Sequence, residues 1–109
     1  MKKRKLFRII FFLFINIFPS YAFNLEKGKT LFQLNCIVCH QNGENLIIPE
    51  KNLKKEILQA NGMYSLNAIK YQVLNGKNGM PAFGGRLKEQ QIEEIANYII
   101  ISSEKNFEH

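Results

Sequence analysis

The sequence predicts an all-α fold of about four helices around a single core. Near the end of the chain, apolar residues recur at helical spacing and would place Ile92, Ile95, Ala96 and Ile99 on one helix face. Residues that begin or end helices separate the other apolar segments, and no segment alternates apolar and polar residues as a half-buried strand does. At 109 residues, the chain has room for one small domain and none for a multidomain enzyme.

The first 22 residues have the layout of a secretory signal peptide. Lys2–Lys5 form a positive segment, Leu6–Ile17 is mainly apolar, and small residues follow at Ser20 and Ala22. We predict cleavage after Ala22, which leaves residues 23–109 as one domain in an extracytoplasmic compartment. The alternative is an uncleaved anchor, but the uninterrupted apolar core is far shorter than the roughly 20 residues that span a bilayer. We therefore expect no stable membrane insertion after cleavage.

The signal segment also holds most of the excess positive charge. The whole chain has 15 basic and 9 acidic residues, and five of the basic ones lie in residues 1–22. The remaining ten basic and nine acidic residues give the rest of the chain a charge of about +1. A nucleic-acid-binding domain would carry its own basic surface, so we expect no nucleic-acid partner.

Start and stop signals define four helices after the signal segment. The predicted helices span about Leu25–Asn35, Leu53–Ala60, Leu66–Asn75 and Lys88–Ser102. Asn24, Asn52 and Ser65 are expected to cap the first three, because their side chains accept hydrogen bonds from the first helical N–H groups. Gly76 is expected to end the third helix. Gly28 would let the first helix cross the last one closely.

The residues from Cys36 to His40 form the pattern C-x-x-C-H, which is the attachment sequence of c-type haem. Two cysteines one helical turn apart point the same way, so each thiol can add to one vinyl group, and the next residue offers an imidazole to the iron. We therefore predict one covalently bound haem c, with Cys36 and Cys39 as its thioethers and His40 as an axial iron ligand. A thioredoxin-like pair would need a βαβ setting and leaves His40 without a role. A zinc site would need four ligands, and only the terminal His109 could complete it.

Met80 is the predicted second axial ligand of the iron. It lies in a segment rich in glycine and proline, which predicts a loop in which a methionine is not explained by helical core packing. Gly79 would let this loop approach the haem closely, and Pro81 would stiffen it. Met63, His109 and several lysines are the alternatives; Met63 is more typical of a core gap-filler. With two protein ligands on the iron, we expect an electron carrier and not an enzyme.

Taken together, these residues resemble class I cytochrome c, and in particular the cytochrome c6 family. The resemblance is carried by the C-x-x-C-H pattern, by residues 76–87 around Met80, by Gly62-Met63-Tyr64-Ser65 and by the final helix. It departs from the family at Gly79, where alanine is expected, and at Phe107, near which a tryptophan is frequent. The resemblance implies a small class I cytochrome c fold, with about four helices wrapped around one covalently bound haem.

The same resemblance implies a function and two further site residues. It implies a soluble monomeric carrier that takes electrons from cytochrome f of the cytochrome b6f complex and delivers them to photosystem I. The expected compartment is the thylakoid lumen of a plastid, or the thylakoid lumen or periplasm of a cyanobacterium. Gln72 is expected close to the haem, where it would help to set the reduction potential. Arg86 is expected beside the exposed haem edge, where it would take part in docking to photosystem I.

Two alternative functions remain open at this point. A respiratory periplasmic cytochrome c that donates to a terminal oxidase would use the same residues with a different partner. A haem enzyme or gas sensor would instead leave one iron position open, and rapid binding of carbon monoxide would then be expected.

Overall fold

Five α-helices form the part of the chain that the structure, a computed structural model, describes: residues 19–108, with side chains from Asn24 onward. The helices are α1 (Pro19–Asn35), α2 (Ile37–His40), α3 (Lys55–Ala60), α4 (Leu66–Asn75) and α5 (Glu89–Glu104). Short 3-10 turns at Gln41–Gly43 and Pro49–Lys51 join α2 to α3. The all-α prediction is therefore confirmed; α2, a single turn, is the helix that was not predicted. The charged and apolar segments of the predicted signal peptide, and His109, lie outside the described residues.

The first helix starts earlier than its sequence signals suggest. The predicted start at Leu25 with Asn24 as cap is wrong, because α1 already begins at Pro19. The predicted end at Asn35 is confirmed.

The helix α1 crosses α5 at the position of Gly28, as predicted. A Cβ on Gly28 would lie 2.9 Å from the Cβ of Tyr98 and closer still to the carbonyl oxygen of Glu94. One turn further along α1, the rings of Phe32 and Tyr98 pack with centroids 5.2 Å apart. A larger residue at position 28 would therefore force the two helices apart.

The core lies between α5 and the helices packed on it. Ile92, Ile95, Ala96 and Ile99 of α5 are all buried, as their spacing predicted. Full burial of an isoleucine side chain contributes about 1.5–3 kcal/mol, so this face accounts for much of the stability. The predicted α4 pair, Ile69 and Val73, is buried against the same core.

The predicted helix caps are confirmed at α4 and displaced at α3. The Ser65 Oγ accepts a hydrogen bond from the Ala68 N–H at 3.1 Å. At the other end of α4, Gly76 has φ +69° and its N–H donates to the Gln72 carbonyl at 2.7 Å. By contrast, Asn52 accepts from the Lys54 N–H in a turn before α3, so that helix begins at Lys55 and not at Leu53. In residues 19–108, no helix has the length and apolar content needed to cross a membrane.

Candidate functional site

An apolar cavity of about 420 Å³ lies between α1, α2, α4 and the loop that follows α4. Its volume is within the range of small-molecule and cofactor sites, about 300–1,000 Å³. Five of the six residues predicted for the site line it: Cys36, Cys39, His40, Gln72 and Met80. The fold thus brings together residues that are up to 44 positions apart in the sequence.

The two cysteines lie on one turn of backbone at the junction of α1 and α2. The N–H groups of Cys39 and His40 both donate to the Cys36 carbonyl, at 3.2 and 2.9 Å, which fixes the three residues relative to one another. Both thiols are free; Cys36 is buried and Cys39 half-buried. Burial raises the pKa of the Cys36 thiol to about 11. A cysteine that exchanges disulfides needs a lowered pKa, so this environment argues against the thioredoxin-like alternative.

The imidazole of His40 is oriented by a backbone carbonyl. Its Nδ1 lies 2.9 Å from the carbonyl oxygen of Glu44. A carbonyl can only accept a hydrogen bond, so Nδ1 carries the proton and the Nε2 lone pair is left available. Burial lowers the pKa of His40, while the bond to Glu44 acts in the opposite direction. The neutral ring with a free Nε2 is the form that binds metals.

Met80 lies on a segment that we call the Met80 strap, residues 76–84, which is fastened to the end of α4. The N–H groups of Phe83 and Gly84 donate to the carbonyls of Val73 and Leu74 at 2.9 and 3.0 Å. A helix leaves its last carbonyls without partners inside the helix, and here the strap supplies them. Both ends of the strap are therefore held by α4.

A tight turn brings Met80 back over the strap. Lys77 and Met80 exchange two backbone hydrogen bonds of 3.1 and 3.0 Å, and the residues between them, Asn78 and Gly79, have φ of +49° and +91°. Two positive φ values define the turn type that strongly favours Asn-Gly. The closest approach within the strap is at Gly76, where a Cβ would lie 2.5 Å from the Met80 carbonyl oxygen. From the sequence, Gly76 was expected only to end the helix, and its close contact with the Met80 backbone was not predicted.

Gln72 contacts the sulfur of Met80. Its Nε2 lies 3.8 Å from Sδ, within the range of a weak hydrogen bond to sulfur, and both side chains are half-buried. This contact gives the Met80 thioether a fixed polar neighbour at the cavity wall.

Arg86 lies one layer of side chains away from the cavity. Its guanidinium carbon is 4.9 Å from the centroid of the Phe83 ring, a cation–π arrangement, and Phe83 in turn lines the cavity. Arg86 itself is exposed and is not part of the lining. Phe83 is thus a site residue for which the sequence offered no signal beyond its place in the loop.

Met63 lines the same cavity as Met80. Its N–H donates to the Leu58 carbonyl at 2.7 Å, and its half-buried side chain packs against the core, as expected of a gap-filler. Within the described residues, no group of three or more His, Cys, Asp or Glu side chains is placed to hold a metal ion, so Cys36, Cys39 and His40 do not form a zinc-like cluster. The alternative ligand His109 lies outside the described part.

The cavity suits a haem in its apolar lining and its chemistry. The walls are mainly apolar, two free thiols lie one turn apart, and an imidazole nitrogen and a thioether remain available. An all-helical frame of this size, in which the attachment helix follows α1 and a methionine strap follows α4, is that of the class I c-type cytochromes.

Comparisons with known proteins identify the family. Residues 23–99 match the model of the family described as cytochrome c oxidase, cbb3-type, subunit III, which places them in that domain family. Cytochrome c6 of Pyropia yezoensis is 47% identical over 108 residues, 97% of this chain and 98% of that protein. Cytochrome c6 of Bumilleriopsis filiformis is 53% identical over 85 residues, 78% of this chain and 99% of that protein.

A solved structure agrees with this result. Cytochrome c6 from the diatom Phaeodactylum tricornutum aligns with a TM-score of 0.73 and 43% identity, covering 75% of this chain and 97% of that one. The chain belongs to the cytochrome c6 family. It carries one covalently attached c-type haem and is a c-type cytochrome electron carrier.

Proposed function

We propose that this carrier takes electrons from cytochrome f of the cytochrome b6f complex and delivers them to photosystem I. The observation that carries the proposal is the 47% identity to a cytochrome c6 over 97% of the chain. The matched region spans almost the whole chain and is not confined to the haem-attachment pattern that c-type cytochromes share.

The haem in this proposal is held by four side chains. Cys36 and Cys39 form the thioethers, and His40 and Met80 are the axial ligands of the iron. When bound, the haem supplies an iron that gains or loses one electron. The chain holds both ligands through backbone contacts: Glu44 fixes the His40 ring, and α4 fixes the strap that carries Met80. Ligands held in this way stay in place in both oxidation states. The structural rearrangement that accompanies each electron transfer is therefore small.

Met80 is favoured over Met63 by its surroundings. Both methionines pack against the core, so core packing does not distinguish them. The Gln72 amide lies against the Met80 sulfur, and the strap turn directs Met80 to the cavity. Gln72, as a donor to the sulfur, would weaken electron donation from the thioether and so help to set the reduction potential.

The proposed site of action is the thylakoid lumen of a plastid, or the equivalent compartment or periplasm of a cyanobacterium. The predicted signal peptide supports export, and cleavage after Ala22 would leave 87 residues. The Bumilleriopsis filiformis protein is covered almost completely by 85 residues of this chain, a length close to that of the proposed mature carrier. Mass spectrometry of the exported protein should find Phe23 as its first residue; retention of residues 1–22 would contradict this cleavage.

A second candidate partner is a terminal oxidase. The family model that matches residues 23–99 is described by an oxidase subunit, which favours a respiratory periplasmic cytochrome c. The ligands and the cavity would be the same in both cases. The two proposals differ only in the surface that docks to the partner, and we propose that Arg86 belongs to the surface that docks to photosystem I.

Photosystem I particles provide the test. The reduced, haem-loaded protein, which we expect to be monomeric, should be oxidised rapidly and saturably by photosystem I after a flash. Arg86→Gln should slow the bimolecular rate several-fold, because a charge at the rim of an interface acts mainly on association. Lys105→Gln, an exposed charge at the far end of α5, is the matched control and should leave the rate unchanged. Slow, non-saturable oxidation by photosystem I, together with rapid oxidation by a terminal oxidase, would replace the proposal with the second candidate.

A further inference from the structure

A strained aromatic residue, Phe107, follows the last helix. After α5, Asn106 and Phe107 have φ of +52° and +58°, values that non-glycine residues rarely adopt. The Phe107 N–H donates to the Ser102 carbonyl at 2.8 Å, which turns the chain back over the end of the helix. The side chain is 5% exposed, so the conformation places a phenyl ring inside the protein. Strained backbone of this kind persists only where the surrounding structure holds it.

The ring of Phe107 fills the place of a side chain at Gly43. A Cβ on Gly43 would lie 2.8 Å from two carbons of the Phe107 ring and closer still to a third. On its other side the ring packs against Phe32, with centroids 6.2 Å apart. Gly43 is itself buried, with φ +76°. Phe107 therefore wedges between α1 and the turn that follows the haem-attachment helix.

That turn carries the carbonyl that orients His40. The Glu44 N–H donates to Gln41 at 3.0 Å, and the Gly43 carbonyl accepts from Leu53 at 2.7 Å. The Glu44 carbonyl then accepts the His40 Nδ1–H bond at 2.9 Å. The position of this acceptor is thus set by a turn whose buried side rests on the Phe107 ring.

We infer that Phe107 is a positioning residue for His40, acting through Gly43 and Glu44. This inference rests on the proposed role of His40 as an iron ligand. A hydrogen bond from Nδ1 to a carbonyl fixes the ring and raises the basicity of the other nitrogen. Greater basicity favours the ferric state. Loosening the turn should therefore raise the reduction potential and expose the Nδ1 proton to solvent exchange.

Phe107→Ala in the full haem-loaded chain tests the inference. The Nδ1 proton of His40, followed by NMR, should exchange about tenfold faster, as when a hydrogen bond of ordinary strength is lost, and the potential should rise. Ile95→Ala is the matched control: Ile95 is fully buried in α5, outside the cavity lining, and its truncation costs a comparable part of the stability. The control should change neither readout.

Two further variants keep the test decisive if Phe107→Ala does not fold. Phe107→Leu keeps an apolar side chain against Gly43, so the Nδ1 proton of His40 should be protected from exchange almost as well as in the wild type. Gly43→Ala disturbs the same contact between Gly43 and Phe107, because its Cβ would collide with the Phe107 ring. Leucine at position 107 would relieve this collision, so Gly43→Ala should increase Nδ1 proton exchange less in the Phe107→Leu background.

The outcomes separate the inference from the role proposed for His40. Unchanged exchange and potential in Phe107→Ala, or equal changes in Ile95→Ala, would overturn the inference and leave His40 as a ligand. Faster exchange without any change in potential would keep the positioning by Phe107 and overturn the assignment of His40 to the iron.

Discussion

The two sides of the cavity hold the two proposed iron ligands by different means. His40 depends on short-range bonds: its backbone is bonded to Cys36 and its ring to Glu44, each four residues away. Met80 depends on bonds that close a longer loop, since the strap is fastened to Val73 and Leu74 by residues ten positions later. The hydrogen bonds that hold His40 are therefore local, although their turn rests on the distant Phe107 ring, whereas the Met80 side exists only when α4 and the strap are folded together.

This difference predicts where the site is vulnerable. Local opening costs least for a segment that few contacts hold in place, and the strap is held by its few hydrogen bonds to α4, its internal turn and the buried ring of Phe83. The cysteines add two covalent attachments on the His40 side in the proposed haem complex. We therefore expect perturbations to release Met80 before they release His40.

Removal of the Met80 sulfur should have the largest effect. In Met80→Ala, the reduced protein should bind carbon monoxide rapidly, and the potential should fall by on the order of 0.1 V, because axial ligands set haem potentials over a range of about 0.8 V. Met63→Leu is the matched control, since it removes the other thioether that lines the cavity while conserving volume. An unchanged potential in Met80→Ala with a fall in Met63→Leu would exchange the two assignments.

Gly76→Ala should break the strap without touching a ligand. Alanine at φ +69° and ψ 171°, a backbone conformation that essentially only glycine adopts, costs about 1–3 kcal/mol before any collision is considered. Its Cβ would also collide with the backbone of Met80 and Ala82, at 2.5 and 2.7 Å. The free energy of unfolding, measured in urea, should therefore fall by more than this backbone cost. The reduced protein should also begin to bind carbon monoxide.

The control for this variant is Gly85→Ala. Gly85 has a similar φ of +84°, but a Cβ there meets no atom within 4 Å. The free energy of unfolding of Gly85→Ala should fall only by the cost of the backbone conformation. The reduced variant should not bind carbon monoxide. Equal losses in the two variants would show that strain, and not the close approach at Gly76, determines the stability of the strap.

The same contrast explains what the sequence could predict. The apolar face of α5 and the cap Ser65 follow from residue types at fixed spacing, and both are confirmed. The attachment pattern is likewise local, and the structure places its three residues on one cavity. Such features are determined within one or two helical turns, which is the distance over which sequence patterns are informative.

Features that depend on distant parts of the chain were not predictable. The Glu44 carbonyl is a backbone group, so its residue type carries no sign that it orients His40. The wedge of Phe107 on Gly43 joins residues 64 positions apart. The late start of α3 at Lys55 follows from the Asn52 side chain, which accepts from the Lys54 N–H in a turn instead of capping the helix at Leu53.

The hydrogen bond between Tyr64 and Glu104 shows that a long sequence separation alone does not make a bond important. The Tyr64 hydroxyl donates to the Glu104 carboxylate at 2.7 Å across forty residues, but the pair is exposed to solvent. Unlike the buried end of the strap, it competes with water on both sides. Tyr64→Phe removes the hydroxyl and keeps the ring that Lys55 covers, with its Nζ 5.4 Å from the ring centroid. At pH 7, this variant should have the smallest loss of stability among those considered.

The pH dependence of this pair has a definite sign. The hydrogen bond to Glu104 and, to a smaller extent, burial and the Glu104 charge raise the pKa of Tyr64 above its usual value of 10.0. Between the unfolded and folded pKa values the native state binds more protons than the unfolded state, so stability falls as the pH rises through this window. Urea midpoints measured from pH 8 to 11 should therefore fall further in the wild type than in Tyr64→Phe, which shares every other titrating group. Parallel curves would mean that this bond contributes nothing, and that among the distant contacts discussed only buried ones stabilise the fold.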